Sequence, residues 1–200
     1  MTSRQVKTDD TELPATAWAV LGLLSFPGAR SGYELKKWAD ASLAFFYFTP
    51  AISQIYAELR RLESRGYATS RIDEATGLRS TRRYEITAAG REALTRWAAT
   101  TDPGPAVLKH PLLLRVWLGH LADPERLRTQ LTAHMDRVRA ALDEIERAER
   151  VSHKIGDWPY PEIALRWSER QQRAELDLAE AMLRDLEELW ERDRQSPSGA

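Results

Sequence analysis

Apolar residues along the chain fall into segments with two distinct periods. Leu13, Ala15, Ala17, Trp18, Ala19, Val20, Leu21, Leu23 and Leu24 crowd the stretch from Leu13 to Ser25. They leave almost no polar face, which predicts a helix enclosed on most sides. Pro27-Gly28 ends it. Ser31-Gly32-Tyr33-Glu34 has capping-box spacing and predicts a second helix from Ser31 to about Ser42, with Leu35 and Trp38 inward and Lys36 and Lys37 outward. Thr49-Pro50 supplies an N-cap followed by proline in the first turn, and opens a third helix. Ile52, Ile55, Leu59 and Leu62 form its inward stripe, and Arg65-Gly66 its stop. At about 100° per residue, Pro50, Ser53, Gln54, Ala57, Arg60, Arg61 and Ser64 fall on the opposite, polar and cationic face.

The period then shortens. Tyr67 to Asp73 and Ser80 to Thr87 predict two strands around a Gly-containing connection, with Tyr84 and Ile86 on one face. Thr87 caps a fourth helix running to about Ala99, despite Gly90. The density of Pro and Gly in Thr100-Thr101-Asp102-Pro103-Gly104-Pro105 marks a boundary. Beyond it, a short apolar helix spans Lys109 to Leu121, and a long one restarts at Asp123-Pro124-Glu125. Trp158-Pro159-Tyr160-Pro161 breaks that helix, and a last one runs from about Pro161 to Asp193.

The expected fold is mainly α with a small β-hairpin: a winged helix-turn-helix over residues 13–100, a linker at 101–104, and a helical dimerisation domain over 105–193. Residues 1–12 and 194–200 read as flexible tails. Leu127, Leu131, Val138, Leu142 and Ile145 form one narrow apolar seam; Trp167, Leu178, Met182, Leu186 and Leu189 form another. Such long stripes call for partner helices, and a second copy of the chain is the simplest supplier, giving a homodimer with coiled-coil character.

Composition narrows the function. The absence of cysteine excludes disulfides, thiolate metal sites and thiol catalysis, and suits a reducing, cytoplasmic compartment. The longest apolar run is too short to span a bilayer. The net charge of −1 hides an asymmetry: residues 1–100 carry 14 Lys and Arg against 11 Asp and Glu, and residues 101–200 carry 15 against 19. The positive half holds the polar helix face and a hairpin whose tip gathers Arg79, Arg82 and Arg83. A helix with such a face fits the major groove of DNA, about 12 Å wide. Arginines at a wing tip suit phosphates or the adjacent minor groove.

The residues also carry a resemblance. Leu21-Gly22-Leu23-Leu24, Ser31-Gly32-Tyr33-Glu34-Leu35, Ser53-Gln54-Ile55-Tyr56-Ala57-Glu58-Leu59 with Leu62-Glu63 and Gly66-Tyr67, and Arg83-Tyr84-Glu85-Ile86-Thr87 with Ala89-Gly90 together resemble the PadR family of bacterial transcriptional regulators. The carboxy-terminal helices resemble its longer subfamily in length, breaks and aromatic placement. The resemblance implies a dimer that represses transcription from a palindromic operator and is released, in some members, by phenolic acids or other aromatic compounds. It also implies that Tyr33, Ser53, Gln54 and Tyr56 lie near DNA and that the hairpin arginines form the wing. Phe45-Phe46-Tyr47-Phe48 departs from the pattern by its aromatic density.

Several features have two readings. Tyr56 can touch phosphate through its hydroxyl or pack its ring on the helix stripe. Arg60 and Arg61 can read DNA or, with Glu58 and Glu63, form a solvated face. Trp97, Trp117, Trp158 and Trp167 suggest a pocket for a flat aromatic effector, although Trp at helical spacing is more often core. His110, His120, His134 and His153 lack close metal-ligand spacing, so no metal or cofactor is expected. There is no phosphate loop or nucleophile elbow, which argues against an enzyme. The rival to DNA binding is a helical scaffold whose winged helix engages protein.

Overall fold

The computed structural model describes residues 13–73, 80–155 and 159–195. The chain separates into two compact units, Met1–Gly104 and Pro105–Ala200. The expected fold class holds: helices dominate, with one small antiparallel sheet.

The first unit contains α1 (Ala15–Leu24), β1 (Arg30–Ser31), α2 (Gly32–Ala41), α3 (Ile52–Ser64), β2 (Ala68–Asp73), β3 (Thr81–Ile86) and α4 (Ala88–Thr100), with a 3-10 turn at Leu43–Phe45. α1 sits at its centre because its apolar residues face every direction: Ala17, Val20, Leu21, Leu23 and Leu24 are all buried, joined by Leu35 of α2 and Ile55, Leu59 and Leu62 of α3. Burying one such Leu or Ile contributes about 1.5–3 kcal/mol. The capping box at the start of α2 is complete: the Glu34 amide donates to Ser31 Oγ at 3.2 Å, and the Ser31 amide donates to Glu34 Oε2 at 2.7 Å. α3 ends in a Schellman motif, with Tyr67 N donating to Leu62 O and Gly66 N to Glu63 O, both at 2.9 Å. Gly66 has φ +71°, a conformation that disfavours residues with a Cβ.

Two details of the third helix differ from expectation. α3 is capped by Ala51, which has no side-chain acceptor, and not by Thr49; Gln54 compensates by accepting from the Ala51 amide through Oε1 at 2.8 Å. Pro50 therefore precedes the helix and is buried, while Ile52 is 40% exposed.

The sheet order is β1-β3-β2. β3 pairs along its length with β2, from Ala68 opposite Ile86 to Asp73 opposite Thr81, and on its other edge with β1 through Arg30–Tyr84 and Ser31–Arg83. The two residues of β1 are too few to show any alternation in sequence. Thr87 caps α4 as expected, accepting from Gly90 N at 3.0 Å and donating to Gly66 O at 2.7 Å. Gly90 is required by close approach: a Cβ there would lie 2.1 Å from the Tyr67 carbonyl oxygen.

The second unit contains α5 (Pro111–Trp117), a 3-10 turn at Gly119–Leu121, α6 (Pro124–Ile155) and α7 (Pro159–Gln195). Leu112, Leu127, Leu131 and Leu186 form its buried cluster, flanked by Val116, Met182, Leu183 and Trp190. α7 starts two residues earlier than predicted because Pro159 and Pro161 both lie in the first turn, where no intrahelical donor is needed. It also extends through Arg194 and Gln195, which were expected in the tail. Residues 1–12 and 196–200 lie outside the described residues. Among the described residues, no helix is long and apolar enough to cross a membrane.

Candidate nucleic-acid interface

α3 is amphipathic, and burying Ile55, Leu59 and Leu62 directs its other side outward. Ser53, Gln54, Tyr56, Ala57, Arg60, Arg61 and Ser64 are all exposed. Pro50, grouped with this face from the sequence, is instead buried beneath the entrance to the helix. Arg61 Nε lies 3.0 Å from Glu58 Oε2, so one of the two adjacent arginines is held in an ion pair on its own helix. Arg60 projects from the exposed face.

Tyr56 combines both of its sequence readings. A Cβ on residue 32 would lie 2.5 Å from Tyr56 Cε1 and 3.0 Å from its hydroxyl, so the ring lies over Gly32 at the start of α2. Even so, the residue is 37% exposed. Tyr33, next in sequence, is 71% exposed. α2 and α3 thus bring two tyrosines to one neighbourhood.

The wing arginines differ in environment. Arg82 is exposed. Arg83 is half-buried and engaged on several sides: Nε donates to Asp73 Oδ2 at 3.0 Å, and Nη1 lies 3.1 Å from Glu34 Oε2 and 3.2 Å from the Ala29 carbonyl. It joins the wing to the capping box of α2, a placement the sequence did not reveal. The Glu34 carboxyl is held below its ordinary value by the Ser31 amide, by the Ser31 hydroxyl and by Arg83, against an opposing push from burial. Burial also raises the Tyr84 phenol, with Glu63 adding to the effect. Arg79 and the connection at residues 74–77 lie outside the described residues. On the other edge of β3, Arg30 lies over the Trp38 ring at 4.2 Å.

The aromatic segment after α2 leaves Phe46, Tyr47 and Phe48 exposed, with the Tyr47 and Phe48 rings 4.7 Å apart.

The residues expected to join two chains divide into two groups. Leu127, Leu131, Val138, Ile145 and Leu186 are buried within the chain, and Leu142 and Met182 are partly so. Leu127 and Leu131 cluster with Leu186 of α7 in the same chain. A helical stripe specifies that it must be covered, and at Leu127 and Leu131 α7 of the same chain contributes that cover. Trp167, Leu178 and Leu189 remain exposed, together with Leu114, Trp117 and Leu121.

The four tryptophans expected to line a pocket are placed differently from one another. Trp97 stacks on Trp18 of α1, with ring centroids 5.3 Å apart and planes 13° apart, and so packs in the first unit. Trp117 and Trp167 are exposed, and Trp158 lies outside the described residues.

Sequence spacing also missed one cluster. His110, His134 and Glu175 meet in the second unit, where both imidazole Nε2 atoms lie within 2.8 Å of Glu175 Oε1. The three residues come from the start of α5, from α6 and from α7, which is why no local motif announces them.

Three helices followed by a two-stranded wing, with α3 exposing a polar and cationic face, define a winged helix-turn-helix fold. Residues 20–96 match the Transcriptional regulator PadR-like family, and residues 108–187 match the Virulence activator alpha C-term family. Over its first unit the chain is similar to PadR-family transcriptional regulators. The Negative transcriptional regulator PadR of Bacillus subtilis (strain 168) is 30% identical over 100 residues, covering 50% of this chain and 54% of that protein. The chain therefore spans about half the length of the curated relative it matches. The PadR-like transcriptional regulator BC1756 from Bacillus cereus has a TM-score of 0.76 at 22% identity, covering 89% of this chain and 99% of its own. Bacillus subtilis PadR in complex with operator DNA gives 0.72 at 21%, covering 86% and 99%. The same protein in complex with p-coumaric acid gives 0.65 at 22%, covering 86% and 98%. At these identities the structural likenesses establish the fold.

Proposed function

We propose that this chain is a homodimeric repressor that occupies a palindromic operator, with α3 in the major groove and the wing on the flanking backbone. The observation that carries this reading is the exposed face of α3, which presents Ser53, Gln54, Arg60 and Arg61 beside Tyr33 and Tyr56. Arg60 and Arg82 supply phosphate attraction; Ser53 and Gln54 supply hydrogen-bonding groups suited to base edges. The operator complex of Bacillus subtilis PadR supports this use of the shared fold.

Dimerisation through the carboxy-terminal helices would cover the apolar side chains left exposed on them, including Trp117, Trp167, Leu178 and Leu189. A two-fold axis then sets the two α3 helices at half-sites about 34 Å apart or a near multiple. Release by a small aromatic effector completes the reading, supported by the p-coumaric acid complex of Bacillus subtilis PadR. The protein acts in the cytoplasm, by binding and not by catalysis.

Sequencing the DNA fragments retained by the purified chain, with and without aromatic acids, tests the whole reading. A palindromic motif whose recovery falls with one of the acids is expected. Retention of no double-stranded fragment in dilute buffer would overturn it.

A further inference from the structure

We propose that His110, His134 and Glu175 form a binding site for a divalent transition-metal ion of the zinc class. One ligand atom from each of the three residues falls within 4.8 Å of the others. All three side chains are less than a fifth exposed, at 16%, 19% and 19%. Two imidazoles and one carboxylate make a donor set of intermediate softness, which favours zinc-class ions over the oxygen-seeking magnesium and calcium.

The surroundings leave a coordination position open. A cavity of about 530 Å³ adjoins the cluster, and its lining includes Lys109, Arg115 and Arg137, with Glu175 the only acid among the described residues that line it. Three cationic side chains disfavour a bare cation, so an anion or hydroxide in the fourth position fits this cavity better than a further protein carboxylate.

The hydrogen bonding adds a second, specific consequence. His110 Nδ1 accepts from the Leu113 amide at 3.0 Å and thereby caps α5. In the metal-free neutral ring the proton therefore sits on Nε2 and is donated to Glu175. A metal at Nε2 requires that proton to pass to Nδ1, where it faces the Leu113 amide donor. Loading the site thus breaks the cap of α5, and metal occupancy is linked to order in the first turn of that helix.

The test uses the full-length untagged chain, stripped with chelator and dialysed against zinc chloride in the presence of excess magnesium. About one zinc per chain is expected, and cobalt chloride should give visible d–d bands. Glu175→Gln and His134→Asn should each weaken zinc binding by more than the roughly 10–100-fold typical of losing an outer-shell partner. His120→Ala should leave it unchanged. In the unmodified chain, zinc should speed hydrogen exchange of the Leu113 amide, a readout independent of how the variants fold. Absence of stoichiometric zinc, zinc binding by both ligand variants equal to that of the unmodified chain, or no change at Leu113 would overturn the proposal and leave the three residues as a hydrogen-bonded network.

Discussion

Arg83 on β3 reaches Glu34 at the start of α2, with Nη1 3.1 Å from Oε2, although 49 residues separate them. The same carboxylate closes the capping box with Ser31, so a single acid secures a helix start and the root of the wing. Arg83→Ala removes charge-assisted hydrogen bonds to Glu34 and Asp73 and should cost about 1–2 kcal/mol. Urea unfolding of the two variants separates the arginines: Arg82→Ala, at an exposed site, should change stability by no more than about 0.5 kcal/mol.

Acid should loosen the same joint. The folded Glu34 carboxyl titrates below its ordinary value of 4.5, so the unfolded chain takes up the proton first as pH falls. The stabilisation is therefore complete above that value and is lost as pH drops through the lower, folded one. Thermal melts across this range should show Glu34→Gln with a flatter acid limb than the parent; identical limbs would remove Glu34 from the account.

Glycines 90 and 22 should respond oppositely to alanine. At Gly90 the new methyl would meet the Tyr67 carbonyl oxygen at 2.1 Å, and rigid backbone cannot yield cheaply. A loss of about 1–3 kcal/mol is expected. At Gly22, inside α1, nothing lies within 4 Å of the added Cβ. There alanine should stabilise by about 0.4–1 kcal/mol by restricting the unfolded chain. Calorimetry of both variants checks the signs.

Operator binding should separate the cationic residues by their freedom. Arg60→Ala should weaken binding to all duplexes and reduce the slope of log affinity against log salt by about 0.9 if it neutralises one phosphate. Gln54→Ala should relax base preference at one position, with a small stability loss because Gln54 also accepts from the Ala51 amide. Gel-shift titrations at several salt concentrations measure both. An unchanged salt slope for Arg60→Ala would remove that residue from the interface.

The local signals proved the most readable. The capping box of Ser31 and Glu34, the stop at Gly66 and the Thr87 cap all depend on residues within a few positions, and each is present in the structure. What escaped depends on distance along the chain. β1 has too few residues to show a period, and the Arg83–Glu34 pair joins separate elements. His110, His134 and Glu175 meet only after α5, α6 and α7 pack. The apolar stripe through Leu127 and Leu131 shows a different limit: periodicity identifies the face to be covered, whereas the identity of the covering helix depends on tertiary packing.

The short β1 strand has a consequence for the timing of DNA contact. By pairing Arg30 with Tyr84 and Ser31 with Arg83, it fastens β3 to the lead-in of α2, so the paired strands of the wing are tied to the helices at their root. On the proposed reading as an operator-binding protein, a duplex would meet strands already set in place, with little backbone entropy left to surrender on docking, and encounter would be governed by diffusion and charge more than by folding of those strands.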